Sequence, residues 1–296
     1  MSLQRQFSVT PAECHARRLA SLATRCLLIE ANLTPKPGLV DRRGNGAHQD
    51  LTLALMERSA QSLTPMFRDL ARQSWLRPAD IALRQLVGRL GRDGEAAMMQ
   101  ATCGVNTHRG AIWALGLLVS ATAMCGGSGS PAQIAGTAAR LAQLPDDAAP
   151  KQFSNGLRAS ARYRLPGARE EAQQGFPHVL NLALPQLVLS RNQGAAGDAA
   201  RLDALMAIMT SLSDTCVLSR AGMAGLTAMQ QGARAVLAAG GVHQPAGRQA
   251  LLRLDAQMLA LNASPGGAAD LLSAALFLDS VQSAGRACPT PTTAGI

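Results

Sequence analysis

Aromatic residues are scarce, at 3% of a 296-residue chain whose hydrophobic fraction is 47%. A core this large must then be built mostly from Ala, Leu, Val and Met, which suits close helix packing and not a sheet rich in β-branched and aromatic side chains. The reading is all-α, as one large bundle with residues 1–288 forming a single catalytic domain. Lysine is nearly missing too: Lys36 and Lys151 are the only two, so the net charge of +9 is carried by arginine. There is no dense basic run with interleaved aromatics, which argues against a nucleic-acid partner and for a phosphate-rich metabolite. The six cysteines include no CxxC pair and no framework of a small secreted domain. No apolar h-region opens the chain, and the longest apolar stretch, Ile112 to Met124, is too short to span a bilayer. The expectation is a cytoplasmic protein with no membrane partner, compatible with a homo-oligomer. No internal repeat is evident, and the Pro/Thr-rich tail, residues 289–296, is expected to be disordered.

What the chain has instead is charge concentrated in turns. The richest is the loop from Pro35 to Asp50, which holds Lys36, Asp41, Arg42, Arg43, His48 and Asp50 among two prolines and three glycines. Prolines that fix φ and glycines that open other backbone angles make this a shaped loop, suited to a polyanion, a metal or both. A polar connection between helices is its plainer explanation. The preceding helix, about Pro11 to Asn32, carries Glu30 near its C-terminus. A carboxylate is unfavourable there, so Glu30 calls for a local cation such as Lys36 or a metal.

Leu51, Leu55, Met56 and Leu63 continue a helix with Asp50 in or near its first turn, and Thr64-Pro65 starts the next. Pro78-Ala79-Asp80 begins another helix to about Leu90, and Gly91 to Gly94 is expected to break it. Asn106, Thr107, His108 and Arg109 then precede an apolar helix, Ala111 to Cys125. Asn106 or Thr107 can cap it, and its free amides form an anion site. Gly126 to Pro131 reads as a flexible link, with a helix following to about Leu144. Beyond a segment from Ser154 to Arg164, Arg169 and Glu171 lie in a third charged turn. The helix Leu202 to Leu212 leads to Asp214 and Arg220, six residues apart and so each needing another partner. Ser264 before Pro265 is a good cap, with Gly266 and Gly267 following and Asp270 about one turn into the last helix. Each of these residues alone is as well explained by a solvated surface or an ordinary cap. Five such turns gathered on one side of a bundle would make a single polar cleft.

These segments, PKPGLVDRRGNGAHQDL, CGVNTHRGAIWALGLL, GAREEAQQGFP, DTCVLSR and SPGGAADLL, resemble in order and spacing the triphosphoribosyl-dephospho-coenzyme A synthases. The resemblance runs from about Glu30 to Leu278. The departures are Arg109 at a position associated with Lys, Glu170 at one associated with Gly, and variation at Cys216 and Ser219. The resemblance implies an all-helical enzyme whose partners are ATP and 3′-dephospho-coenzyme A, with Mg2+ as the expected cofactor. Adenine leaves ATP and the triphosphoribosyl group joins a ribose 2′-hydroxyl. The product is a prosthetic-group precursor for malonate decarboxylase or citrate lyase, with DRRGNGAH leaning to the former.

Such chemistry calls for an acid near the purine, a base near the hydroxyl and fixed negative charge near the sugar. With α product from β substrate, one inverting displacement suffices and no nucleophilic Ser or Cys is needed. The resemblance makes His48 or Asp214 the candidate base and His108 or Glu171 the candidate acid. Lys36, Arg42, Arg109 and Arg169 are candidates for the triphosphate, helped by Asn106, Thr107, Arg220, Ser264 and the amides of Gly266 and Gly267. Asp41, Asp50, Asp214 and Asp270, with Glu30 behind them, are the candidate metal ligands. Two other readings compete: a metal-dependent N-glycoside or ADP-ribosyl hydrolase, and a basic helical nucleic-acid-binding module.

Overall fold

The computed structural model describes residues 10–149 and 155–287. The expected disordered tail, Cys288 and the Ser154 boundary lie outside them. In chain order the helices are α1 (Pro11–Asn32), α2 (Leu53–Ser62), α3 (Thr64–Ser74), α4 (Ile81–Ala101), α5 (Arg109–Met124), α6 (Pro131–Gln143), α7 (Asn155–Tyr163) and α8 (Ala168–Gln173). A π-helical turn (Val179–Ala183) precedes α9 (Leu184–Asn192), α10 (Gly197–Met209), α11 (Thr215–Ala238), α12 (Pro245–Ala260) and α13 (Gly266–Ala287). The all-α expectation holds: among the described residues there is no strand, only an isolated bridge between Asp41 and Gly44. None of the described helices is long and apolar enough to cross a membrane.

The apolar composition decides which helices go inside. In α5 every residue from Ala114 to Ala123 is buried, and a helix apolar on all sides has nowhere else to sit. It packs against α3, α4, α6 and α13. The equally apolar α13 touches both α1 and α5 on one side and α10 and α11 on the other, so it joins the two halves of the bundle. The N-termini of α5, α8, α11 and α13 are where the charged turns were read.

Three local expectations are corrected. Gly91 to Gly94 does not break α4, which runs on to Ala101. Gly94 is buried with Met66 directly over its α-carbon, so the glycine serves close packing between α4 and α3 and not a turn. The supposed flexible link after α5 is a bonded C-terminal turn: Gly127 N–H donates to the Thr122 carbonyl at 2.8 Å, and Ser130 caps α6 through the Gln133 amide at 3.2 Å. Asp50 is exposed and lies outside α2, whose first amides are capped by Thr52.

The loop between α1 and α2 is closed on itself and on α12. Lys36 N–H donates to Asp41 Oδ2 at 2.9 Å, and the Arg43 guanidinium clasps Asp41 and reaches Asp255 Oδ2 at 2.7 Å. Gly38, at φ 66°, gives its N–H to Asp255 Oδ1 at 3.0 Å. A side chain there would run into the Ala263 carbonyl, so position 38 requires glycine for both angle and space.

Candidate functional site

Helix starts from four distant segments meet around one cleft of about 430 Å³, its open mouth included. The start of α5 contributes Gly110 and Trp113, and the start of α8 contributes Ala168 and Glu171, with Gly167 before it. Asp214 and Thr215 come from the start of α11, and Gly267 and Asp270 from α13. Phe176, Leu212 and Leu271 supply apolar wall between them. Four of the five expected turns are therefore gathered, while no residue of the loop from Pro35 to Asp50 lines this cleft.

Asp214 is 1% exposed and caps two helices at once. Its Oδ1 accepts from the amides of Cys216 at 2.9 Å and Val217 at 3.2 Å, and its Oδ2 accepts from Ala268 at 2.8 Å. Burial pushes its carboxyl up to about 6, outweighing the backbone donors that pull it down. The start of α13 is thus already occupied by an anion from the protein itself. The expected cap from Ser264 is not made: its hydroxyl pairs with His48 Nε2 at 2.8 Å. The Gly267 amide likewise faces Asp214, and Gly266 N–H donates to the Ser264 carbonyl.

Asp270 is different. It lines the cleft, and the described backbone donor to its carboxyl is the Ala111 amide. Burial, together with the negative charges of Glu30 and Asp214, holds it well above the usual carboxylate range. Gly110 lies so close to Asp270 Oδ2 that any β-carbon there would collide, which explains a glycine inside the first turn of α5.

Behind Asp270 lies a buried charge pair. Lys36, 1% exposed, donates from Nζ to Glu30 Oε1 at 2.6 Å and to the Glu30 carbonyl at 2.7 Å. The cation expected for Glu30 is Lys36, and its ammonium is consequently turned inward and not toward the cleft. Nearby His108 is buried; its Nδ1 meets Ser59 Oγ at 2.7 Å, and Ser59 Oγ meets Thr107 Oγ1 at 2.5 Å. Burial, then the charge of Lys36, lowers His108 to about 4. A neutral imidazole of this kind can make hydrogen bonds but carries no spare proton at neutral pH. With Thr107 turned to Ser59, the Arg109 amide bonds Asn106 Oδ1 instead, at 3.3 Å.

Glu171 is buried with both oxygens engaged by one residue: His178 N–H at 3.0 Å and His178 Nδ1 at 2.7 Å. His48 sits outside the cleft wall and is held below its ordinary value by burial and by Arg220. Asp50 Oδ1 lies 3.6 Å from its Nδ1. Arg220 staples the central loop to the start of α13, donating to the carbonyls of Ala47 and Asn262.

Other sequence candidates point elsewhere. Arg42 is exposed, 3.7 Å from Asp198, and Arg109 is exposed and paired with Glu95. Arg169 is exposed at the start of α8, within the electrostatic reach of Arg84. The five proposed metal ligands do not form one shell: Asp41 is committed to Arg43 and the Lys36 amide, and Asp50 is at the surface. Among the described residues no three His, Cys, Asp or Glu side chains converge to hold a metal ion by themselves. Glu30, Asp214 and Asp270 are nevertheless near enough that the first two raise the third.

Sequence reasoning missed Ser59, His178 and Asp255. Ser59 had a signal, a polar residue four positions from Leu55 and from Leu63 on the apolar stripe of α2. His178 had none, because the turn at Gly175 and Phe176, both at positive φ, folds it back onto Glu171.

Comparison with known proteins shows the family. Residues 16–288 match the CitG family model, described as ATP:dephospho-CoA triphosphoribosyl transferase. A 2-(5''-triphosphoribosyl)-3'-dephosphocoenzyme-A synthase of Klebsiella pneumoniae is 73% identical over 270 residues, covering 91% of this chain and 96% of that protein. A crystal structure of a candidate triphosphoribosyl-dephospho-coA synthase from Archaeoglobus fulgidus aligns with TM-score 0.50 at 18% identity, over 76% of this chain and 97% of that one, which speaks to the fold. On the family match and the Klebsiella pneumoniae relative together, the chain belongs to the ATP:dephospho-CoA triphosphoribosyl transferase family.

Proposed function

We propose that the chain displaces adenine from ATP in this cleft and joins the triphosphoribosyl group to the 2′-hydroxyl of 3′-dephospho-coenzyme A. The observation that carries this reading is the convergence of Glu171, Asp214 and Asp270 on one apolar-walled cleft from three separate helix starts. Glu171, bonded to His178 and on the cleft wall, would be the acid toward the departing purine. Asp270 stands on the sugar side, its charge favoured once the oxocarbenium-like ribose brings positive charge beside it. Asp214 anchors α11 and α13 so that Asp270 keeps its place. We assign the base for the attacking hydroxyl to His48, kept neutral by burial and Arg220, on the side from which the ribose of dephospho-coenzyme A enters the cleft.

The donor set fits Mg2+, which binds through one or two carboxylates plus phosphate oxygens. Asp270 is the ligand on the cleft wall, and its crowding by Glu30 and Asp214 is what a cation relieves. When bound there, the ion would neutralise triphosphate charge. Arg169 and Arg109, both exposed, would meet the phosphates from the surface, Arg109 by leaving Glu95, whereas Lys36 stabilises the site from behind.

The test is direct. Purified chain with ATP, Mg2+ and 3′-dephospho-coenzyme A should release adenine and yield the joined product by mass spectrometry. Free triphosphoribose without joined product would instead make it a hydrolase. The DRRGNGAH segment favours malonate decarboxylase over citrate lyase as the destination, and prosthetic-group loading of either acyl carrier decides between them.

A further inference from the structure

Both substrates of the proposed reaction carry adenine, yet only one loses it. The base that leaves must lie beside the carboxyls that act on its glycosidic bond. Trp113 lies there, half-buried on the cleft wall with Glu171 and Asp270. Tryptophan is rare in this chain, with two in all, and the other is used for packing: Trp75 stacks on His15 at 4.7 Å. Trp75 is at the opposite end of α5, where the neighbouring Leu76 amide bonds Ala123.

The indole of Trp113 is fixed on two sides. Its N–H donates to the Ala168 carbonyl at 3.0 Å, and the Arg84 guanidinium carbon stands 5.4 Å from the ring centroid. Arg84 is 6% exposed and is held in turn by Asp146 Oδ2 at 3.3 Å. The ring also lines the cleft, which it shares with apolar Leu212 and Leu271 and with Gly110 and Gly267, two positions that add no side chain to it. A rigid aromatic face in a narrow apolar slot suits a planar base.

We propose that Trp113 is the stacking platform for the leaving adenine of ATP and sets the preference for a purine nucleotide, with Arg84 as the positioning residue behind it. The inference rests on the transferase reading and goes further, in dividing the two adenines between different places on the protein. The adenine of dephospho-coenzyme A binds outside this slot.

A Trp75→Phe chain makes Trp113 the sole tryptophan, whose emission is excited selectively over that of Tyr163. Titration with ATP, and separately with adenine, should quench its emission saturably. Trp113→Leu should raise KM for ATP about tenfold or more, the range of base stacking on an aromatic ring. It should leave KM for dephospho-coenzyme A unchanged, and Trp113→Phe should recover most of the loss. Thermal melting followed by circular dichroism shows whether the leucine variant is folded, and the phenylalanine variant carries the same comparison if it is not. The platform is overturned if Trp113 emission ignores saturating ATP, or if KM for dephospho-coenzyme A rises in place of that for ATP. Absence of joined product from the unmodified chain would bring down the transferase reading instead, and the quenching by ATP could still be measured.

Discussion

The central loop and the cleft hold comparable sets of charged residues but use them differently. In the loop the buried charges are consumed by the protein, Lys36 by Glu30 and Asp41 by Arg43, which also reaches Asp255, and Arg220 of α11 holds the loop through the Ala47 carbonyl. In the cleft, Glu171 is held by a neutralisable partner, His178, while Asp270 lines the wall with no basic side chain on it and is raised by neighbours of its own sign. Density of charge along the chain marks where the fold is stitched. Chemistry is better marked by carboxyls that the fold leaves exposed to one another. The two aspartates within one cleft repeat the lesson, since Asp214 is saturated by amides and Asp270 is not.

The sharpest way to break this comparison is to remove a loop charge and look for loss of fold. Lys36→Met leaves Glu30 buried without its partner and should destabilise the chain by about 3–5 kcal/mol in urea unfolding. Pairing it with Glu30→Met should return much of that stability. A stable, inactive Lys36→Met would instead make Lys36 a phosphate ligand. Asp270→Asn is the converse: kcat should fall about a hundredfold, with melting temperature equal or higher because like-charge crowding is relieved. A large fall in melting temperature would place Asp270 with the stitching residues.

Asp214→Ala removes caps from two helices and should cost about 2 kcal/mol. Its titration has a defined sign. The carboxyl binds protons more tightly folded, at about 6 against an ordinary 3.8, so its contribution to stability falls as pH rises from about 4 to 6. Urea midpoints across that interval should slope less steeply downward in Asp214→Asn than in the parent. The smallest effect belongs to Arg42→Ala. Arg42 and its partner Asp198 are more than half exposed, so stability should change by under ~0.5 kcal/mol. An increase in KM for ATP would show that Arg42 swings onto phosphate.

Much of the fold was legible because its signals are local. Thr64-Pro65 starts α3 and Pro131 starts α6, as prolines in a first turn do. The apolar run after Arg109 is a buried helix because no face of it tolerates water. Gly94 misled, since a glycine placed for close packing reads the same as one placed for a turn. At the site, the motif order led to four segments that share the cleft, but partners separated by long stretches of chain were hidden. Asp214 with Ala268, His48 with Ser264 and Ser59 with His108 are separated by 54, 216 and 49 residues.

By itself the sequence determined the helical class, the places where helices begin, and the chemical kinds of residue offered at each turn. Those follow from side-chain shape and backbone restriction within a few residues. Tertiary structure alone decided which of those charges cancel and which stay available. Pairing is a matter of distance in space, and burial sets how strongly each carboxyl feels the next.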